Sequence, residues 1–431
     1  MQDHFSKETL VTCLELLSDP VARVRAHAAG CLANFFPGSK LEHFAAYLGA
    51  VVQALMEAFR RGPLYTRDQV IATLTKISIS AQHAFLPLYR PVMEFLLHIL
   101  ELPPDDPHYS LAGRCMECAT YAGVAVGKAT FAPDAVRLAG IMISFQNHMV
   151  SVGELPSRYL IPWSNLCRVL GNDFAPFLSH VIPPLLKAAE YSLPRLDPTI
   201  SFLEEHDYDL QNTLASTNNT EMEEKVVAFD QLTVYADTMR GALEPWLMPC
   251  MDLSLQALSF QHKLVRQASA YLIPALLQVA KDAQSSEAGP ELLIRVFETL
   301  LNTMAKVSDF LQLALLYKSF TDAVRVVSLA LPGHLANRFV EITNAQLIDM
   351  RGRRDNRYVQ APYMDEADFD IHVEEQGEED ACLLVMEGAI QGLAGLQSKA
   401  AYQRLLLQMS VVKAKTWDAE SRGQTGRAAW S

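Results

Sequence analysis

The stretch FAPFLSHVIPPLLKAA, Phe174–Ala189, combines a helical rhythm with three prolines. Its apolar residues Phe174, Phe177, Leu178, Val181, Ile182, Leu185, Leu186 and Ala189 recur three or four apart. That spacing is one continuous stripe along an α-helix. The same register returns in FLPLYRPVMEFLLHIL, Phe85–Leu100, in the series from Phe44 to Phe59, and in the series from Leu243 to Leu258. Weaker copies start near Phe131, Gly289 and Pro332.

Measured between their starts, the copies are 41, 46, 43, 69, 46 and 43 residues apart, the long interval holding a polar stretch between Ser192 and Thr220. A period in the forties, built of helices with no hairpin signals, predicts the HEAT/armadillo class. Unrelated amphipathic helices of a single bundle would not share both a register and a proline slot. The expected fold is all-α, a HEAT-repeat α-solenoid: a right-handed superhelix of antiparallel helix pairs. The array is expected over residues 1–396 as about eight hairpins, with acidic insertions at 196–225 and 365–380. Residues 397–431 are expected to form a partial helix and a disordered tail.

One hairpin is visible near the start, in Leu14–Phe35: Asp19-Pro20 breaks the first helix and Val24-Arg25 opens the apolar face of the second, a pairing repeated at Val265-Arg266. Pro87, Pro133, Pro176 and Pro245 are expected near helix starts, where a missing N–H costs nothing. Pro183-Pro184 lies deeper and is expected to bend its helix.

Half of the 431 residues are apolar and the mean hydropathy is +0.08, ample for a large core; length alone suggests several globular domains. No apolar run approaches the ~18–20 residues of a membrane span, and the N-terminal MQDHFSKETL has neither the basic region nor the apolar core of a signal peptide. Seven scattered cysteines suit reduced thiols of the cytosol or nucleus, so the sequon Asn218-Asn219-Thr220 reads as polar loop. A net charge of −13 disfavours a general nucleic-acid binder and favours basic partners.

Stacked hairpins form a long concave wall lined by the second helix of each pair, suited to an extended or bulky partner and implying no catalysis. Cys115 and Cys118 form a CxxC without a second ligand pair, which reads as core thiols rather than a metal site. There is no HExxH, no Gly-rich phosphate loop and no GxSxG; His98 and His180 read as ordinary helix residues. No enzyme activity, cofactor or metal is expected.

LAGRCMECATYAGVAVGKATF (Leu111–Phe131), WSNLCRVLGNDFAPFL (Trp163–Leu178), EEKVVAFDQLTVYA (Glu223–Ala236) and the basic-then-acidic run Met350–Leu384 follow one another in order. Together they resemble the middle HEAT repeats of the importin-β (karyopherin-β) superfamily, nearest to its importin beta-3 (Ran-binding protein 5) type. The resemblance extends from about Leu10 to about Leu396. It implies a nuclear import receptor that shuttles between cytoplasm and nucleus, binds Lys/Arg-rich cargo, meets Ran-GTP and nucleoporins, and contacts neither nucleic acid nor membrane. The chain begins inside what would be the family's array and departs from it after Leu396, so a fragment or truncated relative is expected.

On the concave wall, Glu117, Glu224 and Asp230 are candidates to pair with Lys or Arg heads, Trp163 to plate aliphatic stems and cations, and Asn165 and Gln231 to hydrogen-bond a peptide backbone. Trp163 has a structural alternative as a buried core residue. The run holding Asp365, Glu366, Asp368, Asp370, Glu374, Glu375, Glu378, Glu379 and Asp380 reads either as a solvated loop or as an electrostatic lure for basic cargo. Arg351, Arg353, Arg354 and Arg357 before it offer intramolecular partners. The insertion Leu196–Lys225 reads as a flexible acidic loop, with cargo or regulatory contact as its alternative. The competing functional reading is a HEAT-repeat scaffold that organises other proteins.

Overall fold

The computed structural model describes residues 2–102, 111–151, 160–190, 208–260, 262–285, 289–328, 331–360, 366–394 and 399–414. Every regular element among them is helical. The helices of the first half are α1 (Gln2–Leu16), α2 (Ala22–Phe35), the single turn α3 (Leu41–Phe44), α4 (Leu48–Arg61), α5 (Leu64–Ala81), α6 (Leu86–Leu100), α7 (Ala112–Val126), α8 (Lys128–Ser151), α9 (Ile161–Leu170) and α10 (Leu178–Glu190). They are followed by α11 (Tyr208–Met239), α12 (Leu247–Ala257), α13 (Lys263–Ala283), α14 (Pro290–Met304), α15 (Phe310–Val327), α16 (Gly333–Gln360), α17 (Glu366–Ala394) and α18 (Lys399–Lys413). Two compact units divide the chain within α10, Met1–Leu185 and Leu186–Ser431.

Within the first unit, α2, α5, α7 and α9 stack in chain order, while α1, α4, α6 and α8 cover their outer side. Within the second, α11, α13, α15 and α17 form the corresponding tight layer, and α12, α14, α16 and α18 the outer one. Small buried side chains let the inner helices approach: Ala28 and Ala29 on α2, Thr73 and Ser78 on α5, Cys118 and Ala119 on α7, Ser269 and Ala270 on α13, and Ser319 on α15. The hydroxyl of Thr73 donates to the carbonyl of Ala29 at 2.9 Å, and that of Ser319 to Ala270 at 2.6 Å. Such bonds join neighbouring repeats, so their partners stand about one repeat apart: 44 residues for Thr73, 49 for Ser319, and 46 for Lys263 with Asp309.

The apolar stripes are the cores of the pairs. In the stretch that sets the period, Phe174, Leu178, Val181, Ile182, Leu185 and Ala189 are all buried. Fully withdrawing a side chain of this kind from water contributes roughly 1.5–3 kcal/mol. The arginines of the two Val-Arg pairs serve one purpose. Arg25 donates through Nη1 to the carbonyl of Asp19 at 2.7 Å and Arg266 to that of Phe260 at 2.6 Å, each reaching six residues back to tie off the preceding turn. Those carbonyls have no helical partner of their own, so the guanidinium satisfies what the turn leaves open.

Several expectations are corrected. Pro87 stands at the start of α6, and Pro176 and Pro245 lie in the 3₁₀ turns that lead into α10 and α12, but Pro133 is inside α8. Residues 208–225, expected as loop and including the Asn218–Thr220 sequon, are the first part of α11; residues 196–207 lie outside the described residues. The acid run is not a loop either: residues 366–380 open α17, and Asp365 lies outside the described residues. The helical packing does not stop at residue 396, because α18 packs against both α16 and α17. Residues 415–431, expected as a disordered tail, lie outside the described residues.

Candidate peptide-binding face

The exposed side of each inner layer is built from the helix positions that the stacking leaves uncovered. In the first unit, α7 turns Arg114, Glu117, Tyr121 and Val124 outward. Arg114 is held by Asp68 of α5 at 2.5 Å, whereas Glu117 has no ion-pair partner among the described residues. Glu117 is therefore available to an external cation.

Trp163 and Asn165 on α9 are not. Trp163 is 1 % exposed and lies against Phe174 and Phe177, with ring centroids 6.2 and 5.8 Å away. Asn165 is also 1 % exposed; its Nδ2 donates to the Thr120 hydroxyl at 3.3 Å, and its Oδ1 accepts from Arg168 at 3.4 Å. The expected aromatic plate and backbone-binding amide are core residues, because α9 is covered on nearly every side from Pro162 to Cys167. The CxxC is likewise core: Cys115 and Cys118 are fully buried, and burial pushes the Cys118 thiol up to about 12.

In the second unit, α11 carries Asp230 and Asp237 on its uncovered side, one heptad apart. Asp230 is open to solvent by area, yet crowding by surrounding atoms raises its carboxyl above the ordinary range, and no described cation faces it. Asp237 is raised by the same desolvation, which Arg240 partly offsets. Crowded carboxylates of this kind gain when a cation arrives. Glu224 is half-exposed nearby on the same helix. Gln231 is mostly buried and its Oε1 has no described partner, so the expected amide contact with a peptide backbone is corrected.

On α13 and α15 the uncovered positions include Tyr271, Gln278, Lys318 and Arg325, none of them singled out from the sequence. The signal that finds them is the repeat itself, because Tyr271 and Lys318, like Gln278 and Arg325, are 47 residues apart. Lys318 Nζ stands 5.7 Å from the Tyr271 ring centroid.

The acid run has a divided fate. Glu374, Glu375 and Glu378 are exposed on α17, Asp380 is half-buried, and Glu379 is fully buried. Glu379 pairs with Arg354 at 2.9 Å and also with Arg357, while Asp380 accepts from Arg354 at 2.6 Å. Arg351 and Arg353 pair instead with Asp355 and Asp349 of their own helix. The side chains of Glu366, Asp368 and Asp370 are not among those described. Glu379 is thus a structural ion and not a lure.

A HEAT repeat model matches residues 10–39, the hairpin tied off by Arg25. Importin subunit beta-3 of Saccharomyces cerevisiae is 33% identical over 273 residues, which cover 61% of this chain and 25% of that protein. Probable importin subunit beta-4 of Schizosaccharomyces pombe is 23% identical over 280 residues, covering 61% and 26% respectively. Among solved structures, a mutant of the karyopherin Kap121p superposes with a TM-score of 0.79 at 25% identity, over 95% of this chain and 39% of that one. Kap121p bound to Pho4p superposes with a TM-score of 0.78, also at 25% identity, over the same shares. The fold is that of a karyopherin HEAT solenoid. In sequence and fold the chain is similar to members of the importin-β superfamily, among them one of the importin beta-3 type. It spans about a quarter of the length of the curated relatives it matches.

Proposed function

We propose that this chain acts as a nuclear import receptor that binds extended, Lys/Arg-rich cargo on the uncovered side of its inner helices. The observation that carries the reading is the pair Asp230 and Asp237, raised by crowding and seven residues apart on one helix face. Within the first unit Glu117 offers an uncovered carboxylate of its own, and in the second Glu374 and Glu378 are exposed on α17. Similar proteins support it, since Kap121p is crystallised with Pho4p, Ste12p and Nup53p. Binding is the whole activity; no reaction is assigned to any side chain. Shuttling between cytoplasm and nucleus, release of cargo by Ran-GTP and passage by contact with nucleoporins complete the reading.

The test is fluorescence anisotropy of the full chain with a labelled Lys/Arg-rich peptide at about 0.05 M and about 0.3 M salt, with and without Ran-GTP; between these salts the screening length falls by more than half. Tight binding that weakens at the higher salt and is lost in Asp230→Lys/Asp237→Lys is expected. Binding indifferent to both changes, or none at either salt, rules the reading out.

A further inference from the structure

The uncovered face of α11, α13 and α15 is not uniformly acidic; its charge changes sign across the layer. Two contacts set the register of these helices. Arg240, just after α11, pairs with Asp282 near the end of α13 at 3.7 Å, and Lys318 of α15 stands over Tyr271 of α13. Level with these contacts, two rows cross the three helices. One runs Asp230, Tyr271, Lys318 and the other Asp237, Gln278, Arg325. Each passes from an acid through a neutral side chain to a base.

Level with the basic end, α17 presents no exposed carboxylate among the described residues; its exposed Glu374, Glu375 and Glu378 lie nearer its N-terminal end. Gly392 of α17 lies level with Arg325, since a Cβ built there would stand 4.0 Å from Arg325 Nη2. In that part of α17 the exposed residues are Leu384, Gly388, Gln391 and Gly392, none charged, and Glu387 is paired with Lys413 of α18. Arg325 shares its charge with Asp322 at 3.1 Å, which leaves Lys318 as the cation without a carboxylate partner among the described residues.

Resting on the reading of this face as a peptide-binding surface, we propose that it selects a bipolar peptide. Lys or Arg lies over Asp230 and Asp237, and an acidic side chain (Asp, Glu or a phosphorylated residue) lies over Lys318 and Arg325. Helix axes that pack side by side are about 8–10 Å apart, so α11 to α15 is about 16–20 Å. An extended chain advances about 3.3 Å per residue. The two charged groups of the peptide are therefore separated by about five or six residues. A purely basic peptide would meet repulsion at α15, so the basic end is a specificity filter as well as a contact.

The experiment uses the full chain and equal-length peptides at low salt. One has a Lys/Arg cluster alone; two others add Glu about six residues away on either the N-terminal or the C-terminal side; a fourth places Lys at those positions. One Glu peptide is expected to bind roughly three- to ten-fold tighter than the cluster alone, and the Lys peptide weaker. Lys318→Glu/Arg325→Glu is expected to reverse that order, and Lys318→Gln to reduce the gain of the Glu peptide and to relieve the penalty of the Lys peptide. If the basic-only peptide binds but neither Glu peptide gains, or if the charge-reversed variant keeps the original order, the bipolar filter falls and the import reading stands. If none of the peptides binds, both fall together.

Discussion

Arg354 of α16 and Glu379 of α17 meet at 2.9 Å in a setting almost free of water, the guanidinium 2 % and the carboxylate 0 % exposed. Arg354 also donates to the carbonyl of Val412 on α18 at 3.1 Å, so one side chain joins three helices. Arg357 adds a second cation to Glu379. An ion of this kind is maintained by its partners: stripping them away leaves an uncompensated buried charge, whereas replacing the whole group by apolar side chains of similar volume is close to neutral. Glu379→Leu, which removes the buried carboxylate that two guanidinium groups share and leaves Arg354 to Asp380 and Arg357 to Glu375 at 3.6 Å, is expected to cost about 3–5 kcal/mol in denaturant unfolding. Adding Arg354→Met and Arg357→Leu is expected to restore most of that loss. A single variant as stable as the parent would contradict the assignment.

Trp163 separates packing from recognition. Its indole fills the space beside Phe174 and Phe177, so Trp163→Ala is expected to cost about 3–5 kcal/mol through the cavity it leaves. Basic-peptide affinity, measured at a temperature where circular dichroism shows the variant folded, is expected to stay within about two-fold of the parent. A large affinity loss in the folded variant would return Trp163 to the binding face.

The seven thiols give a simple exposure test. Cys31 alone is exposed; Cys13, Cys115, Cys118, Cys167, Cys250 and Cys382 are buried. Burial pushes the Cys250 and Cys382 thiols up to about 12, which keeps them protonated and unreactive near neutral pH. Ellman's reagent is expected to label one thiol per native chain and all seven after denaturation. Rapid native labelling of Cys115 or Cys118 would overturn their place in the core.

Asp230 carries a cost in the unbound protein. Its folded carboxyl is raised above the unfolded value of 3.8, so the charged form opposes folding at neutral pH and ceases to do so as pH falls through the folded pKa toward 3.8. Asp230→Asn is expected to stabilise the fold slightly at pH 7, by less than about 1 kcal/mol because the group keeps contact with solvent, and so to raise the melting temperature a little. The advantage is expected to vanish near pH 3.8. The same change weakens basic-peptide binding. A variant less stable than the parent at pH 7 would show that the carboxylate has a stabilising partner.

Much of the repeat was legible because it is written locally. The spacing of Phe174, Leu178, Val181 and Leu185 depends only on 3.6 residues per turn, and the turn at Asp19-Pro20 on a breaker and an Asx turn: Asp19 Oδ1 accepts from the Val21 N–H at 2.7 Å. The candidate site was legible in part. Asp230 and Glu117 lie on uncovered helix faces, but Trp163, Asn165 and Gln231 do not, since an inner helix can be covered by both stacked neighbours and by the turn that follows it. The acid run misled for a related reason. Nine carboxylates without a local cation look solvated, yet the arginines that neutralise Glu379 and Asp380 come from the preceding helix, 25 and 26 residues away.

From its own order of residues the chain settled that it is helical, that its helices come in pairs, and that the pairs repeat every forty-odd positions, because each of these follows from interactions within one or two turns. Which polar side chains face water and which face a neighbour was decided only by tertiary packing. Exposure belongs to the contact between helices a full repeat apart, and it is there that Asp230 was left open, Glu379 enclosed, and Lys318 brought level with Tyr271.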